Sequence, residues 1–121
     1  MLIVEDDRDA RTLLKRMIVD SGAIALDVDR VNAALAAIEE FKPNVLISDL
    51  GMPGRDGFDL IREVRSRGYT TDELPAVALT AYAGAEDRHR VLRAGFQVHV
   101  SKPIDAHDLI TVVAALAGRT G

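Results

Sequence analysis

The chain has 121 residues, a formal net charge of -4, no cysteine and 48% hydrophobic residues. That is enough chain for one domain with a buried core, while the lack of cysteine excludes a disulfide scaffold and any thiolate metal site. No apolar run approaches the ~18 residues of a membrane helix, no secretory leader is visible, and the negative charge gives no electrostatic case for nucleic acid. The expectation is a single cytoplasmic domain, residues 1–121, that touches neither membrane nor nucleic acid directly.

Leu2-Ile3-Val4 is a short apolar run ending at Glu5-Asp6-Asp7. Ala10, Leu13, Leu14, Met17 and Ile18 recur at the spacing of one helix face, and Ser21-Gly22 stops that helix. Ala23 to Val28 reads as a weak second strand, supported mainly by the alternation around it. Val31, Ala34, Leu35, Ile38 and Phe41 mark a second helix halted by Lys42-Pro43. Val45 to Ser48 is a buried strand running into Asp49 and a turn rich in Gly and Pro. Phe58, Ile61 and Val64 give a third helix ending near Gly68, and residues 68–74 form a polar loop. Pro75 to Leu79 is the fourth strand, closing on Thr80-Ala81. Ala85 to Ala94 is a helix whose large apolar residues are Val91 and Leu92, stopped by Gly95. Val98-His99-Val100 is the fifth strand, followed by Ser101-Lys102-Pro103, and Leu109, Val112, Val113 and Leu116 define the last helix. Five apolar strands alternating with five helices predict an α/β domain with a parallel sheet. Strands apolar on both sides predict helices on both faces.

In an open parallel sheet, ligands bind beyond the carboxyl ends of the strands. Those ends are Glu5-Asp6-Asp7, Asp49, Thr80-Ala81 and Ser101-Lys102, so acids, a hydroxyl and an amine converge on one edge. Clustered carboxylates resist ionising together. A hard divalent ion relieves that cost, and Mg²⁺ binds through one or two carboxylates, waters and phosphate oxygens. A carboxylate can itself be a nucleophile, and an ammonium and a threonine hydroxyl suit phosphate oxygens. The set points to metal-assisted phosphoryl transfer centred on Asp49. Each residue alone has a plainer alternative. The acids can serve the N-terminus of a helix, Asp49 a loop or cap, Thr80 a helix cap, and Lys102 can be a solvated lysine. Joint placement at four strand ends is what favours a site.

Leu2-Ile3-Val4-Glu5-Asp6-Asp7, Ser48-Asp49-Leu50-Gly51-Met52-Pro53 with Asp56-Gly57, Leu79-Thr80-Ala81 and Ser101-Lys102-Pro103 together resemble a response-regulator receiver domain of two-component signalling, over essentially the whole chain. The resemblance implies a flavodoxin-like, doubly wound five-stranded sheet of order 2-1-3-4-5. It implies phosphorylation of Asp49 by a phosphohistidine of a histidine kinase or phosphotransfer protein, with Mg²⁺ or Mn²⁺ held by Asp6, by Glu5 through water, by Asp49 and by the Gly51 carbonyl. Thr80, the Ala81 amide and Lys102 would hold the phosphoryl oxygens, and the face of helix four, strand five and helix five would respond and could form a homodimer. The stretch Leu79 to Ala83, with Ala94 to Pro103, is similar to receivers of hybrid sensor histidine kinases, with a stand-alone regulator as the alternative context. A phosphohydrolase using Asp49 would need a second acid beside it, whereas Leu50-Gly51 follows. Gly51, Gly54 and Gly57 do not match a nucleotide-binding glycine loop. A phosphorylation-independent interaction domain would not need the complete set of acids, threonine and lysine.

One departure stands out. Receivers often carry Tyr or Phe three residues before the lysine, as a switch that moves inward on phosphorylation; here that residue is His99. His89 and His107 read as solvated rather than as phosphodonors. Imidazole is polar and titrates near neutral pH as a class, so the expected outcome is weaker or pH-dependent coupling of the site to that face. Solution spectra of wild type and His99→Phe, each with and without a phosphoryl mimic, check this; identical shifts in the two proteins would contradict it.

Overall fold

Successive side chains of a strand point to opposite faces, so a strand apolar at every position must be covered twice. The computed structural model, which describes residues 1–52, 54–81 and 84–120, has that arrangement. In chain order the elements are β1 (Leu2–Val4), α1 (Arg8–Asp20), β2 (Leu26–Val28), α2 (Val31–Phe41), β3 (Leu46–Asp49), α3 (Gly57–Ser66), β4 (Ala76–Thr80), α4 (Ala85–Ala94), β5 (Val98–Ser101) and α5 (Ala106–Thr120). All strand pairs are parallel, in the order β2-β1-β3-β4-β5. This is the flavodoxin-like order expected above. Pro53, Tyr82 and Ala83, which belong to the motifs quoted earlier, lie outside the described residues.

Leu2, Val4, Leu46, Ala76 and Ala78 face one core, built with Val31, Leu35 and Ile38 of α2, Leu60, Ile61 and Val64 of α3, and Val91 of α4. Ile3, Ile47, Val77, Leu79 and Val100 face the other, built with Leu14 and Ile18 of α1 and Leu109, Val113 and Leu116 of α5. The registers Leu2↔Leu46, Leu46↔Ala76 and Val77↔Val98 bring the carboxyl ends of the strands to one edge. The strand order reverses direction between β1 and β3, which opens a crevice there. Among the described residues, no helix is long and apolar enough to cross a membrane.

Three expectations need correction. The second strand is three residues, Leu26–Val28, instead of six: Ile24 is 88% exposed and its carbonyl accepts from the Met1 ammonium at 2.7 Å, while Ala23 and Ala25 pack under α1 and α5. Leu13 and Phe41 fit the helical period yet are 54% and 61% exposed. Phe41 is the last residue of α2, next to Lys42, whose left-handed φ of 47° ends the helix and turns the chain toward Pro43.

Arg65 ties the far edge together. Its guanidinium donates to the carbonyls of Gly95 (3.1 and 2.8 Å), Tyr69 (3.0 Å), Thr70 (3.0 Å) and Leu74 (2.8 Å), so α3, the 68–74 loop and the end of α4 share one clamp. At the opposite end of α3, Asp56 accepts from the Asp59 amide and Asp59 from the Asp56 amide, both at 2.9 Å, a reciprocal cap. Gly57 begins the helix against the end of β3, and a Cβ there would collide with the Asp49 carbonyl oxygen and lie 3.0 Å from Leu50 Cα. Gly57→Ala is therefore expected to destabilise by about 1–3 kcal/mol, a fall of roughly 5–15 °C in Tm. Gly118→Ala, at a helical site with nothing within 4 Å, should be neutral or slightly stabilising. Thermal denaturation of the two variants checks the contrast.

Candidate functional site

The buried polar residues of the sheet sit at its carboxyl edge: Glu5 just beyond β1, Ser48 and Asp49 at the end of β3, and Thr80 at the end of β4. Ionised carboxylates are expensive to bury without partners. Carboxylate oxygens of Glu5, Asp6 and Asp49 lie within 4.8 Å of one another, Glu5 and Asp49 buried and Asp6 exposed. Lys102, just past β5, reaches across β4 to place Nζ 2.9 Å from Asp49 Oδ1 and 3.7 Å from Glu5 Oε1. Three carboxylates against one ammonium leave two negative charges if all ionise.

The electrostatics carry that imbalance. Burial first, then the hydrogen bond and charge of Asp49, push the Glu5 carboxyl up to about 7, although Lys102 pulls it down. Partial burial lowers the Lys102 ammonium, but its hydrogen bond and charge with Asp49, followed by Glu5, outweigh this and leave it above an ordinary lysine. The donor set is all oxygen and partly buried, with surplus negative charge, and it fits a hard divalent cation.

Backbone and neighbours hold these groups in place. Leu50 N–H donates to the Leu79 carbonyl at 3.2 Å and Lys102 N–H to the Thr80 carbonyl at 2.8 Å, which tie the three strand ends beyond the ladder. The Lys102–Pro103 peptide is cis. Thr80 and Ala81 line, with Asp49, Gly51 and Lys102, a cavity of about 370 Å³ that also touches Phe58, Asp87 and Arg90. A second cavity of about 490 Å³ opens on the other side of Asp49, over α1 and past Lys102 to Pro103 and Ile104. Leu13 lines this second cavity, which is where the exposed member of the α1 face goes.

Of the residues singled out in the sequence, Glu5, Asp6, Asp49, Gly51, Thr80, Ala81 and Lys102 share this edge. Asp7 does not join the acids; its carboxylate caps α1, accepting from the Asp9 amide at 3.0 Å. His99 stands apart, half-buried on β5 in register with Ala78 and bordering a shallow cavity with His107 and Ser101. His89 and His107 are exposed.

Sequence reasoning missed Arg11. Its guanidinium donates to the Glu5 carbonyl at 3.0 Å and pairs with Asp27 at 3.2 Å, so it braces the acidic loop against β2. Asp27 is also paired with Lys15 at 3.0 Å. The i, i+4 spacing of Arg11 and Lys15 hints at a shared acid, but only the β1–β2 pairing identifies it. Arg90, whose guanidinium lies 4.2 Å over the Phe58 ring, was also not singled out.

The description "response regulator receiver domain" belongs to a family model that matches residues 1–114. The chain is 46% identical over 115 residues to an uncharacterized 14.6 kDa protein of Leptolyngbya boryana, spanning 93% of this chain and 86% of that protein. It is 31% identical over 123 residues to hybrid signal transduction histidine kinase D of Dictyostelium discoideum, spanning 96% of this chain but 8% of the kinase. The solved receiver domain of the Francisella response regulator 1452 superposes with a TM-score of 0.92 at 26% identity, covering 99% of this chain and 97% of that one. Sequence, strand order and family match agree, and the chain belongs to the response regulator receiver domains of two-component signalling.

Proposed function

We propose that residues 1–121 form one receiver unit in which Asp49 accepts a phosphoryl group from the phosphohistidine of a histidine kinase or phosphotransfer protein. The observation that carries this reading is the 2.9 Å contact of Lys102 Nζ with Asp49 Oδ1, beside the carboxylates of Glu5 and Asp6. An Asp49 carboxylate oxygen attacks phosphorus as the bond to the donor imidazole breaks, and the departing imidazole nitrogen takes up a proton. Glu5, Asp6, Asp49 and the Gly51 carbonyl would hold Mg²⁺ or Mn²⁺, which when bound supplies positive charge against the phosphoryl oxygens. Lys102 follows the charge from carboxylate to phosphoryl oxygen, and the Thr80 hydroxyl and Ala81 amide donate to the others. The exposed Leu13 and the cavity over α1 give the phosphodonor an approach beside Lys102.

The chemistry is self-phosphorylation and self-dephosphorylation, with no separate substrate. Phosphorylation would shift the face of α4, β5 and α5 through Thr80 and His99, and this face would meet a partner or a second copy. Motif similarity favours a cytoplasmic hybrid sensor histidine kinase as the parent chain. A stand-alone regulator is the second reading, favoured by the 86% coverage of the small Leptolyngbya protein. A native product close to 121 residues supports the second reading, and a longer one that carries a histidine kinase core the first.

With a small-molecule phosphodonor and Mg²⁺, wild type should gain one acid-labile phosphoryl group by mass. Asp49→Asn should gain none, and Lys102→Ala should react on the order of 10²-fold more slowly. An unmodified wild type sinks the proposal.

Glu5 gives a pH signature. Its folded pKa of about 7 lies above the ordinary 4.5, so the neutral acid is the form the metal-free fold prefers. The stability from this group is fully present below pH 4.5 and is lost as pH rises through about 7. Mg²⁺ must displace that proton, so its apparent affinity should climb by up to about tenfold per pH unit below neutrality and level off above it. Titrations of wild type and Glu5→Gln between acid and mildly alkaline pH check this; an unchanged pH profile in Glu5→Gln contradicts it.

A further inference from the structure

The groove between α3 and α4, away from the carboxylates, has the opposite charge. Phe58, Arg62, His89, Arg90, Arg93 and Ala94 line about 540 Å³ of it. Three guanidiniums share this space, no described carboxylate lines it, and the chain as a whole carries a net charge of -4. Arg62 has a partly exposed partner at its rim, Asp59 at 3.1 Å. Arg90 rests on the Phe58 ring at 4.2 Å, and neither Arg90 nor Arg93 has a carboxylate partner among the described residues. Three guanidiniums gathered with one rim carboxylate, Asp59, leave an excess of like charge whose cost an anionic occupant reduces.

We infer that this α3–α4 groove docks an acidic segment of a partner protein, and that Arg90 couples its occupancy to the Asp49 site. Charge complementarity names the carboxylates, and geometry names a protein segment. The guanidiniums are spread over two helices around an open groove, with exposed side chains, and do not converge on one buried point as a single small anion would require. Guanidinium forks pair in two-point fashion with carboxylates presented in a row. Phe58 and Arg90 line both this groove and the cavity at Asp49 and Thr80. A carboxylate that draws Arg90 off the Phe58 ring therefore changes the wall of the phosphoacceptor cavity. By linkage, phosphorylation changes the affinity for the acidic segment by the same factor. The coupling rests on Asp49 being the phosphoacceptor, whereas the docking does not.

The test uses a fluorescein-labelled oligoglutamate peptide, followed by anisotropy at low salt and by amide shifts of the protein. Unphosphorylated wild type and Asp49→Asn should bind equally, with the largest shifts at Arg62, His89 and Arg93. Arg62→Gln/Arg93→Gln should weaken binding at least about fivefold while accepting phosphate at Asp49 as wild type does. Arg16→Gln, an exposed arginine on α1, should bind normally. Absence of binding, or equal loss in Arg16→Gln, overturns the docking site. Displacement by inorganic pyrophosphate at concentrations far below those of free glutamate residues assigns the groove to a small phosphate ligand and overturns the acidic segment. Unchanged peptide affinity in wild type that carries an acid-labile phosphoryl group overturns the coupling, whatever the outcome for docking.

Discussion

Two carboxylates, Glu5 and Asp49, are buried side by side at the ends of adjacent strands, with a single ammonium within reach of both. Much of the surrounding structure serves to hold that unfavourable arrangement. The sheet order brings β1 and β3 together, and the cores on its two faces fix the strands from both sides. Arg11 pins the carbonyl after β1, and Gly57 lets α3 start directly against the Asp49 carbonyl. Lys102 arrives from the far side of β4 because β5 ends in register with Thr80. Each of these restraints is worth little alone, but together they prevent the simplest relief of the repulsion, which is for the carboxylates to turn away into water. The charge must then be answered by a proton, by Lys102 or by a cation, and the elevated Glu5 acid is the proton answer.

What could be read in the sequence follows the range of the forces involved. Near-continuous apolar strands and helices with one apolar stripe made the layered α/β architecture legible, because those patterns are local. The strand ends made Glu5, Asp49, Thr80 and Lys102 legible as a group, since a parallel sheet collects its carboxyl ends at one edge. The helical period could not tell Leu13 from Leu14, because a cavity beside the former and a core beside the latter are both made by other elements. Three-residue β2 was overextended for the same reason: Ala23 and Ala25 are partly buried against the core on the α1 and α5 face without belonging to the strand. Arg11 was invisible because its partners, the backbone carbonyl of Glu5 just past β1 and Asp27 on β2, lie far apart in the chain. Arg65, whose acceptors are all carbonyls, leaves no acidic counterpart in the sequence to point to it.

The two ends of α4 are held by different means, and this bears on how a change at the site travels. At the carboxyl end, Val91 and Phe96 are buried and the Gly95 carbonyl takes two hydrogen bonds from Arg65. At the amino end the cap is Gly84, which offers no side-chain acceptor to the first amides, unlike the Asp7 and Asp56 caps of α1 and α3. Compared with an Asp cap, a Gly cap of this kind costs only a few tenths of a kcal/mol. The loosely held end adjoins Thr80 and Ala81, and the firmly held end is tied to α3. A rearrangement at the Asp49 cavity thus meets the cheaper end of the helix to move, while the Arg65 clamp supplies the fixed point. Arg90 lies between the two, immediately before the buried Val91 and stacked on Phe58, so tilting α4 must alter that stack.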